Sequence, residues 1–465
     1  MVGIEKAGIP AVLLVMKRFD VDSRRNAKTV GLDAIRLICV DESAVPLPGL
    51  LEKSDMPSRI AAGIINGLTT NPQKVQIDAD HDKEFLTYHG TAEGKASTFM
   101  EKDFLNRCWS DGLPLVPPTS DAVLRMTAAV DRDPNESIGA VMPGGTQATI
   151  RKIAVNAVMA GCLPQYMPVL VAAVEAITDP RFDLLGVQCT AGMVSPLLIV
   201  SGGALIDDLN INDSFSSLGP GWRANSTIGR ALRLIMINIG LAWPGNPDMK
   251  AIGSPFKTVH LLAENDGCYE EFWEPFRVAE GFGYDQPTVS VYPAVGWQPE
   301  VMPPDRATTE ELVTLLGAQA RVKYDKKANF WGMDNLVILS PNAYNAIRRE
   351  GYSRRDFQKM LYHVAQVPCR EFFAGQKPRQ DCGGVPIPDS IVSTCQDDPD
   401  GLAPLLSAPD NIKIIVTGAP GPYMFAYVST WGFGNAYCVH KPIQLPRQWR
   451  NILAENDGWQ TPIIR

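Results

Sequence analysis

The 465-residue chain holds only five histidines, and its nine cysteines are scattered singly with no Cys-x-x-Cys pair. An odd number of cysteines cannot all pair within one chain, so reduced thiols serving as small buried fillers are expected. Basic charge is also scarce: 43 Lys and Arg stand against 51 Asp and Glu, for a formal net charge of -8. With one small basic cluster, Arg348, Arg349, Arg354 and Arg355, that balance is a poor match to nucleic acid. Long apolar runs are missing too. The longest, 153–162 and 167–177, are interrupted or bounded by Asn156, Pro164, Gln165 and Glu175 and fall short of a membrane span. The opening Met1-Val2-Gly3-Ile4-Glu5-Lys6 carries no basic segment leading into an apolar run, so a cytoplasmic location is expected. No Gly-x-Gly-x-x-Gly joins a strand to a helix and no phosphate-loop lysine follows a glycine loop, which leaves nucleotide cofactors unsupported.

What is present reads as an α/β protein. Apolar runs at 10–17 and 35–40 flank a polar, helix-compatible stretch from Ser23 to Leu32, one β-α-β step of a parallel sheet. Starting so near residue 1, it makes a small, incomplete Rossmann-like unit. A helix is predicted over 57–68, and a boundary near 92 separates this unit (1–92) from a large mixed α/β domain (93–465). In that domain two helices, about Gln147–Gly161 and Tyr166–Ile177, are apolar around most of their circumference and belong in the core. Helix starts are marked by Thr119, by Thr308 with Glu311, by Pro341 after a strand at 336–339, and by Ser353 with Asp356. A further helix is expected over Lys257–Glu264, and loop over 367–405.

Two buried-type strands end in small residues: 197–200 before Ser201-Gly202-Gly203, and 412–416 before Thr417-Gly418. Ligands of open α/β sheets gather at the carboxyl ends of strands, so Gly202 and Gly418 are candidate ligand-binding positions. The glycine loop from Leu218 to Gly221 runs into a helix whose first turn presents Asn225, Ser226 and Thr227, with Arg223 before them and Arg230 farther along. Free N–H groups at a helix start attract an anion that Arg223 and Arg230 would clamp; the competing reading is an ordinary helix start with arginines paired to internal carboxylates. Gly144, Gly145 and Thr146 form a second close-approach loop, or a tight turn before a core helix. Cys189, in a small-residue loop, is a candidate nucleophile or a structural thiol. His260 and Glu264, four residues apart, form an acid/base pair if helical, or a surface pair. Cys369, Cys382 and Cys395 recur every thirteen residues; no cofactor is expected, and a metal at such a set stays open.

Four stretches, WSDGLPLVPPT at 109–119, TIRKIAVNAVMAGC at 149–162, RANSTIGRALRL at 223–234 and SPNAYNAIRREGYSRRDFQKML at 340–361, resemble the large C-terminal region of the UGSC-type (seleno)protein family. The opening Gly8–Val12 resembles the latter part of that family's small N-terminal domain. That family is named for a Sec-or-Cys, Gly, Ser, Cys motif in the small domain, and this chain contains no Gly-Ser-Cys. The resemblance therefore implies a metabolic enzyme with a site shared between two domains, its thiol or selenol centre carried by a separate subunit.

Together these readings predict an oligomeric enzyme, or the large subunit of a divided one, acting on a small anionic organic molecule. Hydrolytic or eliminative cleavage of a carbon-heteroatom bond with thiol chemistry comes first and reduction second. The alternative is a non-catalytic stabilising subunit of a hetero-oligomeric thiol- or selenol-dependent reductase.

Overall fold

The computed structural model describes residues 10–16, 24, 34–40, 56–69, 73–74, 86–91, 94–219, 221–245, 247–254, 259–269, 272–302, 308–323, 333–372, 387–431 and 436–456. Within the small unit, β1 (Leu13–Met16) and β2 (Leu37–Val40) pair in parallel, as the β-α-β step requires. The expected helix between them lies outside the described residues apart from Arg24, which is helical. Helix α1 (Met56–Thr69) packs on this pair through its glycines: a Cβ at Gly63 or Gly67 would meet Ile38 or Val12 at 3.3 or 2.9 Å. The two small residues let helix and strand approach closely.

The large domain is an α/β structure built round one seven-stranded mixed sheet. Its strands are β3 (Ser195–Ser201), β4 (Leu261–Ala263), β5 (Thr288–Met302), β6 (Asn335–Leu339), β7 (Ile412–Val416), β8 (Tyr423–Thr430) and β9 (Val439–Pro442). Their order is β4-β3-β5-β8-β6-β7, with β9 on β5. β5 spans both halves. Its first part pairs with β3 and β9, and after a register shift between Ala294 and Gly296, next to Pro293, it follows β8. A bulge of this kind bends and twists a strand, and here the sheet curls. The outermost strands β4 and β7 meet at their carboxyl ends, where Asn265 N–H donates to Val416 O over 2.9 Å.

Side-chain alternation then sorts the core. Leu197, Ile199, Leu262, Tyr292, Leu336, Ile338, Ile415, Ala426 and Val428 pack together inside the curl. Their neighbours face outward. Leu198, Val200, Val289 and Val291 meet helices 150–160, 167–178 and 223–238, while Val337, Leu339, Ile414 and Val416 meet helices 309–323, 341–349 and 354–364. Helix 167–178 is buried at ten of its twelve positions, which places it in the core as its all-round apolarity requires.

The expected caps form. Thr119 accepts from Ala122 N–H, Thr308 and Glu311 bond reciprocally, Ser340 caps 341–349, and Ser353 with Asp356 makes a capping box. Three expectations are corrected. The helix foreseen from Gln147 starts at Ile150, because 146–149 pairs with 137–141 as a hairpin. The helix foreseen over Lys257–Glu264 is instead strand β4 over 261–263, since Leu261-Leu262-Ala263 gains a parallel partner in Leu198-Ile199-Val200. And 367–405 is not all loop: 366–368 pairs with 402–404, helices occupy 369–372 and 389–397, and Cys369 and Cys395 form a disulfide. Cys382 lies outside the described residues. Among the described residues no helix is long and apolar enough to cross a membrane.

Candidate active site at the closed end of the sheet

The carboxyl ends of β3, β4 and β7 come together because the sheet curls, and polar residues succeed the apolar interior at one rim. Ser201 continues the inward face of β3, Glu264 follows β4, Thr417 follows β7, and Thr288 of β5 pairs directly with Ser201. Loops are tied across the rim. Gly203 N–H donates to Asp266 Oδ2, Gly418 N–H to Asp213 O, and Asn265 Nδ2 to Gly418 O. Gly202 and Gly418 take φ of +134° and +92°, conformations that suit glycine, and a Cβ on Gly418 would meet nothing within 4 Å.

Glu264 is the central group. It is fully buried and accepts hydrogen bonds from Ser201 Oγ, from Tyr269 OH at 2.5 Å and from Phe276 N–H at 2.6 Å. Burial first, and the nearby charge of Asp266 second, push its carboxyl pKa up against the downward pull of those bonds. The short helix Phe276–Ala279 supplies Arg277, which pairs with Asp266 Oδ2 at 2.6 Å, reaches Ser201 Oγ at 3.3 Å and donates to Tyr284 O at 2.8 Å. Among the described residues, Asp266 Oδ1, Arg277 Nε, Thr288 Oγ1 and Thr417 Oγ1 are buried and find no partner. Buried polar atoms normally have a partner, and these four lie at one rim of the sheet. Burial also raises Asp213, helped by Asp207 and Asp266, and lifts the Cys268 thiol to about 11, helped by Asp213.

Of the residues singled out in the sequence, Gly202, Glu264 and Gly418 are thus brought together. His260 is not with them. It precedes β4 while Glu264 follows it, roughly 13 Å apart in extended chain, so the helical acid/base pairing does not arise. Arg230 pairs through two guanidinium nitrogens with Asp111 at 2.7 and 2.9 Å and donates to Leu113 O and Pro114 O; Arg223 donates to Gly161 O. Asn225 ties the start of helix 223–238 to Asn212 and Ser217, Thr227 Oγ1 donates to Arg223 O, and Ser226 is exposed. The competing reading, arginines paired internally at an ordinary helix start, fits these contacts. Gly144 N–H binds Gly240 O at the opposite end of the same helix; Gly144 and Gly145 lie in the turn of the 137–149 hairpin, and Thr146 begins its second strand, paired with Val141. Cys189 ends helix 184–189, where the dipole opposes a thiolate, beside carbonyls that hold the buried Lys250.

Sequence reasoning named Ser201 and Thr417 only as part of the two small-residue strand ends and passed over Asp266, Tyr269 and Arg277, none of which belongs to a spaced motif. His440 lies in a second polar group. His440 Nδ1 lies 2.7 Å from Ser290 Oγ and Nε2 lies 3.3 Å from Glu280, which Lys413 also binds at 2.8 Å. Burial alone would raise Glu280, but the bond to His440 and the charge of Lys413 bring it down to about 2. A separate cavity of about 320 Å³, lined by Val130, Arg132, Val171, Glu175, Pro446 and Arg447 among others, shares no residue with the rim. Its charges already pair, Arg132 with Glu175 and Arg447 with Asp131.

No family model and no curated protein matches the chain.

Proposed function

We propose that the chain is an enzyme, or the large subunit of a divided enzyme, that cleaves a carbon-heteroatom bond of a small polar organic molecule at this rim, with Glu264 as proton donor. One observation carries the reading: a fully buried carboxyl with a raised pKa sits at the joined strand ends beside four unpartnered polar atoms. Burial and the charge of Asp266 favour the protonated form of this carboxyl, and a carboxylic acid so placed hands its proton to a leaving heteroatom as the bonding pair departs. The carbon is then closed by water, in hydrolysis, or by loss of a neighbouring proton, in elimination. Ser201, Tyr269 and the Phe276 N–H stabilise the carboxylate left behind.

Thiol chemistry is the weaker part of this reading, because burial raises Cys162, Cys268 and Cys438 and so disfavours the nucleophilic thiolate. The divided form and an oligomeric assembly rest on the likeness of 109–119, 149–162, 223–234 and 340–361 to the UGSC-type family; co-purification of a second chain bearing a Sec/Cys-Gly-Ser-Cys motif supports it. The setting proposed is cytoplasmic. There the Cys369–Cys395 bond is expected to be reduced, and its recovery intact from cells lysed with a thiol-blocking reagent would place the chain in an oxidising compartment instead.

The test is depletion. Wild type and Glu264→Gln are incubated with a small-metabolite extract and losses followed by mass spectrometry. A compound consumed by wild type and consumed about 10² to 10⁴ times more slowly by the folded variant supports the reading. Equal consumption by both proteins rejects it.

A further inference from the structure

We infer, on the reading that this rim is the active site, that the molecule it holds carries an amino group directed at Asp266 and a neighbouring oxygen directed at Arg277: a small amino alcohol or its derivative, and not an anion. Charge at the rim is the first observation. Glu264, Asp266, Asp213 and Asp207 act on one another there, whereas Arg277 is the cation that binds into the rim among the described residues. Arg354 lies beyond the Tyr269 ring, 5.9 Å from its centroid, and is held by Ile414 O and Glu274 O. The arginines foreseen as an anion clamp are committed to Asp111 and to carbonyls elsewhere.

The unpartnered atoms give the second observation. Asp266 Oδ2 is occupied by Gly203 N–H and Arg277, while Oδ1 accepts nothing from the described residues. Thr288, Arg277 and Thr417 are 1, 6 and 6 % exposed, yet Thr288 Oγ1, Arg277 Nε and Thr417 Oγ1 have no partner among the described residues. An ammonium group offers three donors, which suits one carboxylate oxygen and two hydroxyls able to accept. The lone Arg277 Nε–H calls for one acceptor, a hydroxyl or ether oxygen. A carboxylate in the same place would find a single free N–H and face several acids. The hydroxyls beside the carboxylates give the rim neutral acceptors of the kind an organic ammonium group uses. Asp213, raised by burial first and by the charges of Asp207 and Asp266 after it, would likewise be relieved by an incoming positive charge.

Three probes of matched size, 2-aminoethanol, ethylene glycol and glycolate, separate the possibilities when titrated calorimetrically into the full chain at neutral pH. The expected result is saturable binding of 2-aminoethanol, about tenfold or more tighter than either of the others, as a charge-assisted contact provides. Asp266→Asn should weaken it by about tenfold, with Asp410→Asn, at an exposed surface pair, leaving it unchanged. Because Asp266 also anchors Arg277, Thr417→Val serves as the second variant and should weaken 2-aminoethanol while circular dichroism stays native. Tighter binding of glycolate, lost in the same variants, overturns the amino-group assignment and leaves the rim as the site. Binding indifferent to both variants overturns the assignment and counts against the rim itself. No saturable binding of 2-aminoethanol overturns the assignment, with the Glu264→Gln depletion assay deciding the rim separately.

Discussion

Arg230 and Asp111 join two segments 119 residues apart, with side chains 18 and 12 % exposed. Removing the guanidinium leaves a shielded carboxylate and two carbonyls without donors. Arg230→Ala should therefore cost about 2 kcal/mol of stability, read from the denaturant midpoint, while the folded fraction keeps its turnover. An anion clamp would give the reverse pattern. Glu264 makes the complementary prediction. Its pKa is raised on folding, so its contribution is full below the unfolded value of 4.5 and is lost as pH rises through the folded value. Glu264→Gln should flatten that decline of stability with pH. Residue roles were legible only where local: an arginine on an apolar helix needs a partner, but nothing near Arg230 in the chain names Asp111. Glu264 was singled out for a helical pairing with His260, and its real partners Ser201, Tyr269 and Phe276 come from three different segments.

Elements were read best where their signals are self-contained. Ser353 and Asp356 predict a helix start from spacing alone, and both reciprocal bonds form, with Asp356 held below the usual carboxylate range by Ser353. Ser353→Ala should lower stability by about 1 kcal/mol, measured as a shift in thermal midpoint, with no effect on the rim. Helices 150–160 and 167–178 were legible because they are apolar around most of their circumference. Strand β4 was not: its three residues carry no period of their own, and what makes them a strand is the neighbouring 198–200. The hairpin at 137–149 was missed for the same reason, since the alternation of 146–149 is too short to register before the strong helical pattern behind it.

At the scale of the molecule, alternating strands and helices disclosed the α/β class, and the small-residue strand ends pointed to Gly202 and Gly418. The closure that brings these two together was hidden, because it depends on the bend of β5 and on Tyr269 spanning the seam. Tyr269 OH donates to Glu264 and accepts from Val416 N–H, so Tyr269→Phe leaves two buried groups short and should cost about 1–3 kcal/mol, alongside a loss of turnover. Acid should act through Glu280. Its pKa falls on folding, so its contribution is present above the unfolded value of 4.5 and disappears as pH drops through about 2. Lys413→Met should move the onset of acid unfolding to higher pH, followed by circular dichroism.

Phe276 occupies both ends of this interior at once: its N–H holds Glu264 while its ring meets His440 edge-on, centroids 5.5 Å apart, and the same short helix carries Arg277 toward one group and leads to Glu280 beside the other. The imidazole is thus a built-in reporter. Whatever displaces Arg277 levers the same rigid turn, and the ring-proton resonances of His440 will register an event on the far side of a single aromatic side chain.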